Sequence, residues 1–214
     1  MSLIPEHRRS VESMKHAYNN RIFRMYGIIE RSNGPKLDIV IREKIARIPG
    51  ISTSTALDYA CGSGLLSLKL LPLFKSVTGR DLSIAMLERA KGRAKKMGCV
   101  MNFLEGNILA IDEQEKSYDY VFVSFALHLF SPVQEEEILK KLYKVARKSV
   151  IIIDHGKKWN LGVAIIEWLE GGYYDKFIKL DFNSIARKLG CEQFEEAQIA
   201  DCTVLFFHTG EMRY

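Results

Sequence analysis

The chain has 214 residues, 47% of them hydrophobic, and a formal net charge of +5. That is enough apolar material for one α/β domain with a modest insertion, and no stretch approaches the ~20 apolar residues of a membrane span. The first residues lack the long apolar region of a signal peptide. The four cysteines, Cys61, Cys99, Cys191 and Cys202, show no Cys-x-x-Cys spacing, so reduced thiols in the cytoplasm are expected.

Val11, Met14, Tyr18, Ile22, Met25 and Ile29 recur at intervals of three and four, a helical stripe that Asn19-Asn20 would split. Ser32-Asn33-Gly34-Pro35 reads as a turn. A second helix then carries Leu37, Ile41, Ile45 and Ile48 and ends at Pro49-Gly50. Thr55, Leu57 and Tyr59 suit a buried strand, and Gly62 and Gly64 let the chain turn sharply and approach a ligand without a Cβ in the way. The apolar run Leu65, Leu66, Leu68, Leu70 and Leu71 follows as a buried helix stopped by Pro72. Strand, glycine turn and helix N-terminus together make a nucleotide-type cradle. A second strand over 75–79 leads to Asp81, about twenty residues past the turn, where a carboxylate reaches ribose hydroxyls. The other role open to Asp81 is to cap the helix that begins near Ser83. That helix carries Ile84, Leu87, Ala90, Ala94 and Met97 and stops at Gly98. Its basic face, residues 89–96, has no interleaved aromatics, so it reads as a solvated helix surface rather than a nucleic-acid groove.

A third strand over 100–105 ends in Gly106-Asn107-Ile108, and 112–117 is a polar loop. The apolar run 118–125 reads as a central parallel strand leading into Ser124-Phe125-Ala126-Leu127-His128. Ser131, Pro132 and Gln134 form a capping box for a helix with Ile138, Leu142 and Val145 on its buried stripe. A fifth strand spans 149–154. Beyond it come an apolar helix over 159–170, the pair Gly171-Gly172, an aromatic segment over 173–177, and a short helix over 181–189 stopped by Gly190. The glycine pair beside Tyr173 and Tyr174 reads either as a lid hinge or as a tight turn with packed tyrosines. Segments 193–200 and 203–209 read as a closing antiparallel pair.

Asp58-x-Ala60-x-Gly62-x-Gly64, then Gly79-Arg80-Asp81-Leu82-Ser83, resembles the first two motifs of the class I S-adenosylmethionine-dependent methyltransferases, and the match continues through Ile153. Ala60 stands where most members have glycine. A dinucleotide dehydrogenase would want a third glycine where this chain has Ser67. The resemblance implies an α/β fold: a doubly wound, mostly parallel seven-stranded sheet with N-terminal helices, in a single domain. Its parts are a helical cover over 1–50, a cofactor-binding core over 51–154, a substrate-side insertion over 155–190, and closing strands over 191–214. It also implies S-adenosylmethionine as cofactor, leaving as S-adenosylhomocysteine, and contacts to it from Asp58, Ala60, Gly62, Gly64, Asp81, Leu82, Asn107, Ile108 and Ser124. Asn107 stands where many members have Asp. Its amide oxygen still accepts a hydrogen bond, although a loop Asn also caps turns. Tyr18, His128, Tyr173 and Tyr174 are expected on the acceptor side, with Tyr26 a further wall residue.

Methyl transfer from a sulfonium asks the protein mainly for alignment and a dry pocket, so no compact catalytic motif is required. His128 is the best placed base, since imidazole titrates near neutrality; its other reading is a pocket wall. With Asp154-His155 at the end of the fifth strand it would make a metal site, but no spacing demands one and none is expected. Cys61 reads as a small loop residue rather than a nucleophile. The Asn/Asp-Pro-Pro-aromatic segment of many amino-methylating nucleic-acid enzymes is absent, which favours a small-molecule acceptor. The competing functions are a cofactor-binding protein without catalysis and an RNA or protein methyltransferase. Acceptor atom and oligomeric state are left open.

Overall fold

The computed structural model of the chain describes residues 22–157 and 173–210. Its strands are β1 (Thr55–Tyr59), β2 (Ser76–Asp81), β3 (Asn102–Glu105), β4 (Tyr118–Ser124), β5 (Ala146–His155), β6 (Gln193–Ile199) and β7 (Cys202–His208). They join into one seven-stranded sheet in the order β3-β2-β1-β4-β5-β7-β6. The neighbours from β3 to β5 pair in parallel, and β7 runs antiparallel to both β5 and β6. The strand order reverses between β1 and β4, and ligands of open α/β sheets bind beyond the carboxyl ends of strands at such a point.

Alternating side chains feed two apolar layers. Leu57, Tyr59, Val121, Val123, Val150 and Ile152 pack with helix α4 (Pro132–Val145) and helix α6 (Phe182–Lys188) on one face. Phe122, Ile151, Ile153 and Val204 pack on the other, under helix α1 (Ile22–Glu43) and helix α2 (Leu65–Leu70). The caps fall where the chain supplies them. Ser83 Oγ accepts from Met86 N–H at the start of helix α3 (Ile84–Lys96), and Ser131 and Gln134 complete the capping box of α4. Helix α5 (Tyr174–Phe177) is a single turn.

The turn expected at Ser32-Asn33-Gly34-Pro35 is instead the middle of α1, with Pro35 inside the helix. Proline there forfeits one backbone hydrogen bond and crowds the carbonyl four residues back. Anchors on both sides outweigh that cost. Before it, Glu30 is gripped by Arg89 and Arg93 of α3; after it, Leu37 and Val40 are buried against the sheet. The Asn19-Asn20 split, the 159–170 helix and Gly171-Gly172 lie outside the described residues. No helix among the described residues is long and apolar enough to cross a membrane.

Candidate active site

The glycine turn leaves β1 with three residues in the left-handed region, Ala60 (φ 56°), Gly62 (φ 53°) and Gly64 (φ 74°). Glycine adopts it freely, whereas Ala60 is held there at a cost of order 1 kcal/mol. The turn is stitched to the end of β2. Cys61 N–H donates to the Arg80 carbonyl (2.9 Å), and Gly62 N–H donates to Asp81 Oδ2 (2.8 Å). Asp81 Oδ1 accepts from Ser83 N–H (2.8 Å). Burial raises the Asp81 pKa, and the backbone donors oppose it. Gly62 N–H and Ser83 N–H engage different oxygens, an acceptor pair of the kind that takes two ribose hydroxyls.

Asp81 opens onto a cleft that runs along the carboxyl ends of the strands to His155. At its far end Phe125, at φ 49°, leaves β4 and packs on the His155 ring, with centroids 5.2 Å apart. His128 lies on a short turn, Leu127–Leu129, and its Nδ1 pairs with the Oδ1 of Asp154. Asp154 is fully buried. Its Oδ2 accepts from the N–H groups of Leu127 (3.0 Å) and His128 (3.3 Å), and Oδ1 also accepts from His155 N–H (2.7 Å). Burial pushes its pKa up, yet the balance lies below the ordinary carboxylate value because His128 and the N–H donors outweigh it. In the neutral form of His128, an ionised Asp154 fixes the proton on Nδ1 and the lone pair on Nε2. The His155 ring lies 4.8 Å from that of His128, and burial first, then His128, drives its pKa down to about 3, so it is neutral.

Donor atoms of His128, Asp154 and His155 fall within 4.8 Å of one another, a spacing a metal ion would accept. Four N–H groups already occupy the lone-pair positions of Asp154, however. That donor set fits an orienting carboxylate better than a metal ligand.

A methyltransferase domain family matches residues 56–149. The fold superposes on magnesium protoporphyrin IX methyltransferase of Synechocystis PCC 6803, solved with bound S-adenosylhomocysteine, with a TM-score of 0.72 at 16% identity, covering 94% of this chain and 100% of that one. Residues 56–149 carry a methyltransferase domain, and the fold is that of the class I S-adenosylmethionine-dependent methyltransferases. It is 27% identical over 164 residues to a ubiquinone biosynthesis O-methyltransferase of Rickettsia felis, covering 72% of this chain and 66% of the relative. The corresponding enzyme of Rickettsia bellii is 26% identical over 178 residues, covering 78% and 73%. The chain thus spans about two thirds to three quarters of these relatives' length.

In this methyltransferase domain Ala60, Gly62, Asp81, Leu82, Asn107, Ile108 and Ser124 all line the one cleft, together with His128. Asp58 and Gly64 do not line it. Asp58 is fully buried behind the turn and accepts a hydrogen bond from Ser67 Oγ, with burial pushing its pKa up to about 7; it ties β1 to α2. Gly64 is needed for packing, since a Cβ there would lie 2.9 Å from Phe103 Cζ. Asn107 caps its turn, Oδ1 accepting from Leu109 N–H (3.0 Å), and the residue also lines the cleft.

Tyr173 and Tyr174 are buried and stand behind the histidines, outside the lining of the cleft. Tyr173 N–H donates to the His128 carbonyl (2.7 Å). Tyr174 donates its hydroxyl to the Gly156 carbonyl (3.2 Å) and sets its ring edge-on to His155 at 5.8 Å. Tyr18 lies outside the described residues, as does the Tyr26 side chain.

Two groups of residues escaped the sequence reading. The first is the wall that α1 contributes, Glu30, Asn33 and Lys36. Glu30 Oε2 accepts from Arg93 (2.8 Å) and Arg89 (3.1 Å), and Ser63 Oγ donates to its other oxygen, so α1 is latched over the glycine turn. The signal was present in Ile29, Asn33, Leu37 and Val40, which keep helical spacing across the supposed turn. The second is Glu135 in the first turn of α4, fully buried with neither carboxyl oxygen hydrogen-bonded among the described residues. Burial, then Asp154, pushes its pKa up to about 8 against the pull of His128, so it is a neutral acid at pH 7. It shares a stripe with Ile138, Leu139 and Leu142, which marks it as inward-facing.

Proposed function

We propose that the protein methylates a hydroxyl oxygen of a small-molecule acceptor, with His128 as the base. The observation that carries this reading is the His128–Asp154 pair in the same cleft as Asp81 and the glycine turn. Asp81, the turn and Asn107 would hold the adenosine part of S-adenosylmethionine. The bound cofactor supplies a methyl group activated by its positive sulfur, and the S–CH3 bond breaks as the O–CH3 bond forms. His128 Nε2 takes the hydroxyl proton, and Asp154 stabilises the resulting imidazolium. A hydroxyl needs that help, because its proton is held too tightly at pH 7 to leave unassisted. The naming of the rickettsial relatives as O-methyltransferases supports oxygen as the acceptor atom. The unpaired thiols of Cys61, Cys99, Cys191 and Cys202 support a cytoplasmic setting.

The test is His128→Asn, assayed by S-adenosylhomocysteine release over a panel of phenols and hydroxy acids. The expected result is a kcat lowered by about 10²–10⁴, with S-adenosylhomocysteine affinity within twofold of wild type. Unchanged turnover, or cofactor binding lost in step with activity, overturns the role of His128. Cofactor affinity without turnover on any acceptor in the wild type would mark a non-catalytic binding protein instead.

A further inference from the structure

We propose that Lys36 receives an anionic group of the acceptor, a carboxylate or similar oxyanion, at the His155 end of the cleft. The inference deepens the small-acceptor reading above and rests on it. Lys36 is the only ammonium or guanidinium lining the cleft among the described residues, and it makes no hydrogen bond or ion pair there. Among the described residues, the carboxylates that line the cleft and that of the His128 pair are committed. Glu30 is held by Arg89 and Arg93, Asp81 by Gly62 and Ser83, and Asp154 by four N–H groups. A half-buried ammonium in a cleft wall loses solvation without a partner of its own, and a ligand that brings the counter-charge restores the balance.

The place of that charge favours the acceptor over the cofactor. The Lys36 ammonium acts electrostatically on His155, at the end of β5, and on Cys202, at the start of β7. β5 lies three strand spacings from β2 in the sheet, about 14 Å from the Asp81 end. Lys36 therefore stands on the histidine side, where the hydroxyl to be methylated has to lie within reach of His128. An acceptor with its oxyanion on Lys36 and its hydroxyl at His128 would be held at two points, and its reacting oxygen oriented.

A carboxylate near the cleft has two sources, the acceptor and the methionine part of the cofactor, and binding experiments on the full chain separate them. Calorimetry of wild type, Lys36→Met and Lys36→Arg with S-adenosylhomocysteine, and with 5′-methylthioadenosine, which has no carboxylate, reads the cofactor source. Protein saturated with S-adenosylhomocysteine is then titrated with 3,4-dihydroxybenzoate and its neutral counterpart 3,4-dihydroxybenzamide. Wild type is expected to prefer the acid by about ten- to a hundred-fold. Lys36→Met should erase that preference, Lys36→Arg should keep most of it, and both nucleosides should bind all three proteins within twofold. The proposal is overturned if wild type shows no preference for the acid, or if the preference survives in Lys36→Met. It is equally overturned if Lys36→Met weakens S-adenosylhomocysteine tenfold while sparing methylthioadenosine, since Lys36 then serves the cofactor. No turnover is needed, so the acid preference is read in the same way whether or not His128 proves to be the base.

Discussion

The two ends of the cleft are built by different means. At the Asp81 end the contacts come from three short loops that follow β1, β2 and β3, and backbone N–H groups fix them, as in the bonds from Gly62 and Ser83 to Asp81. At the His155 end the groups come from α1, the turn after β4, the end of β5 and the first turn of α4, and side-chain ionisation states define them. An anionic Asp154, a neutral His155 and a neutral Glu135 sit within one buried neighbourhood. A cradle of backbone amides tolerates many side chains and suits a ligand that is always the same. A set of buried titratable groups is costly to hold in place and changes its chemistry with a single substitution, which suits a ligand that differs from one enzyme to the next. Substitutions at the two ends should therefore separate cofactor affinity from turnover.

Asp154→Asn should give the largest separation. Asparagine keeps the volume but loses the charge, and its amide nitrogen is a poor partner for the Nδ1–H of His128. Neutralising an orienting carboxylate of this kind lowers kcat by about 10³–10⁴, while S-adenosylhomocysteine should bind within twofold of wild type. The pH dependence has a definite sign. The folded pKa of Asp154 is lowered, so its contribution to stability is present above the unfolded value and is lost as pH falls through the folded one. Melting curves of wild type should drop on the acid side of pH 4, and those of Asp154→Asn should be flatter there. Equal loss of cofactor affinity and turnover in this variant would mean that the two ends do not act separately.

Asp81→Ala is the converse and should have the next largest effect. The ribose hydroxyls lose a charged acceptor, at about 1.5–3 kcal/mol per hydrogen bond before desolvation is counted. S-adenosylhomocysteine should bind roughly ten- to a few-hundred-fold more weakly. The same carboxylate also accepts from Gly62 and Ser83, so the variant should lose about 1–2 kcal/mol of stability as well. Asp81→Asn should fall between. Affinity within twofold of wild type, with only the stability loss, would leave Asp81 as a cap and nothing more.

How much of each end was legible in the sequence follows from the same difference. The Asp81 end is local: strand, glycines, acidic residue and helix cap recur at short spacings, so fold, cofactor and most of the residues lining that end could be read in order along the chain. Even there, Asp58 and Gly64 belong to the motif yet lie outside the cleft lining, because a motif records what the turn needs without saying which of its atoms face the cleft. The His155 end depends on pairs far apart, such as His128 with Asp154, 26 residues on, and Lys36 with the end of β5. Spacing says little about those. The α1 wall was hidden by Pro35, whose local preference for a turn lost to tertiary anchoring through Glu30, Leu37 and Val40.

The smallest effect expected is also the one that asks how rigid the His155 end is. Tyr174 lies behind the histidines, donating its hydroxyl to the Gly156 carbonyl and presenting its ring edge to His155. Tyr174→Phe keeps the ring and its packing and removes one part-buried hydrogen bond, worth about 1 kcal/mol net. The Gly156 carbonyl, next to His155 at the end of β5, then loses that donor, so the backbone carrying both Asp154 and His155 gains freedom. Positional precision of the base matters to rate more than to binding, so kcat should fall about two- to fivefold with S-adenosylhomocysteine affinity unchanged. Tyr174→Ala, which also opens a cavity beside His155, should cost about 3–5 kcal/mol of stability and considerably more turnover. If Tyr174→Phe is as active as wild type at equal cofactor saturation while its melting temperature falls, Tyr174 supports the fold without positioning the base. The tolerance of the His155 end for small displacements would then be wider than its buried charges imply.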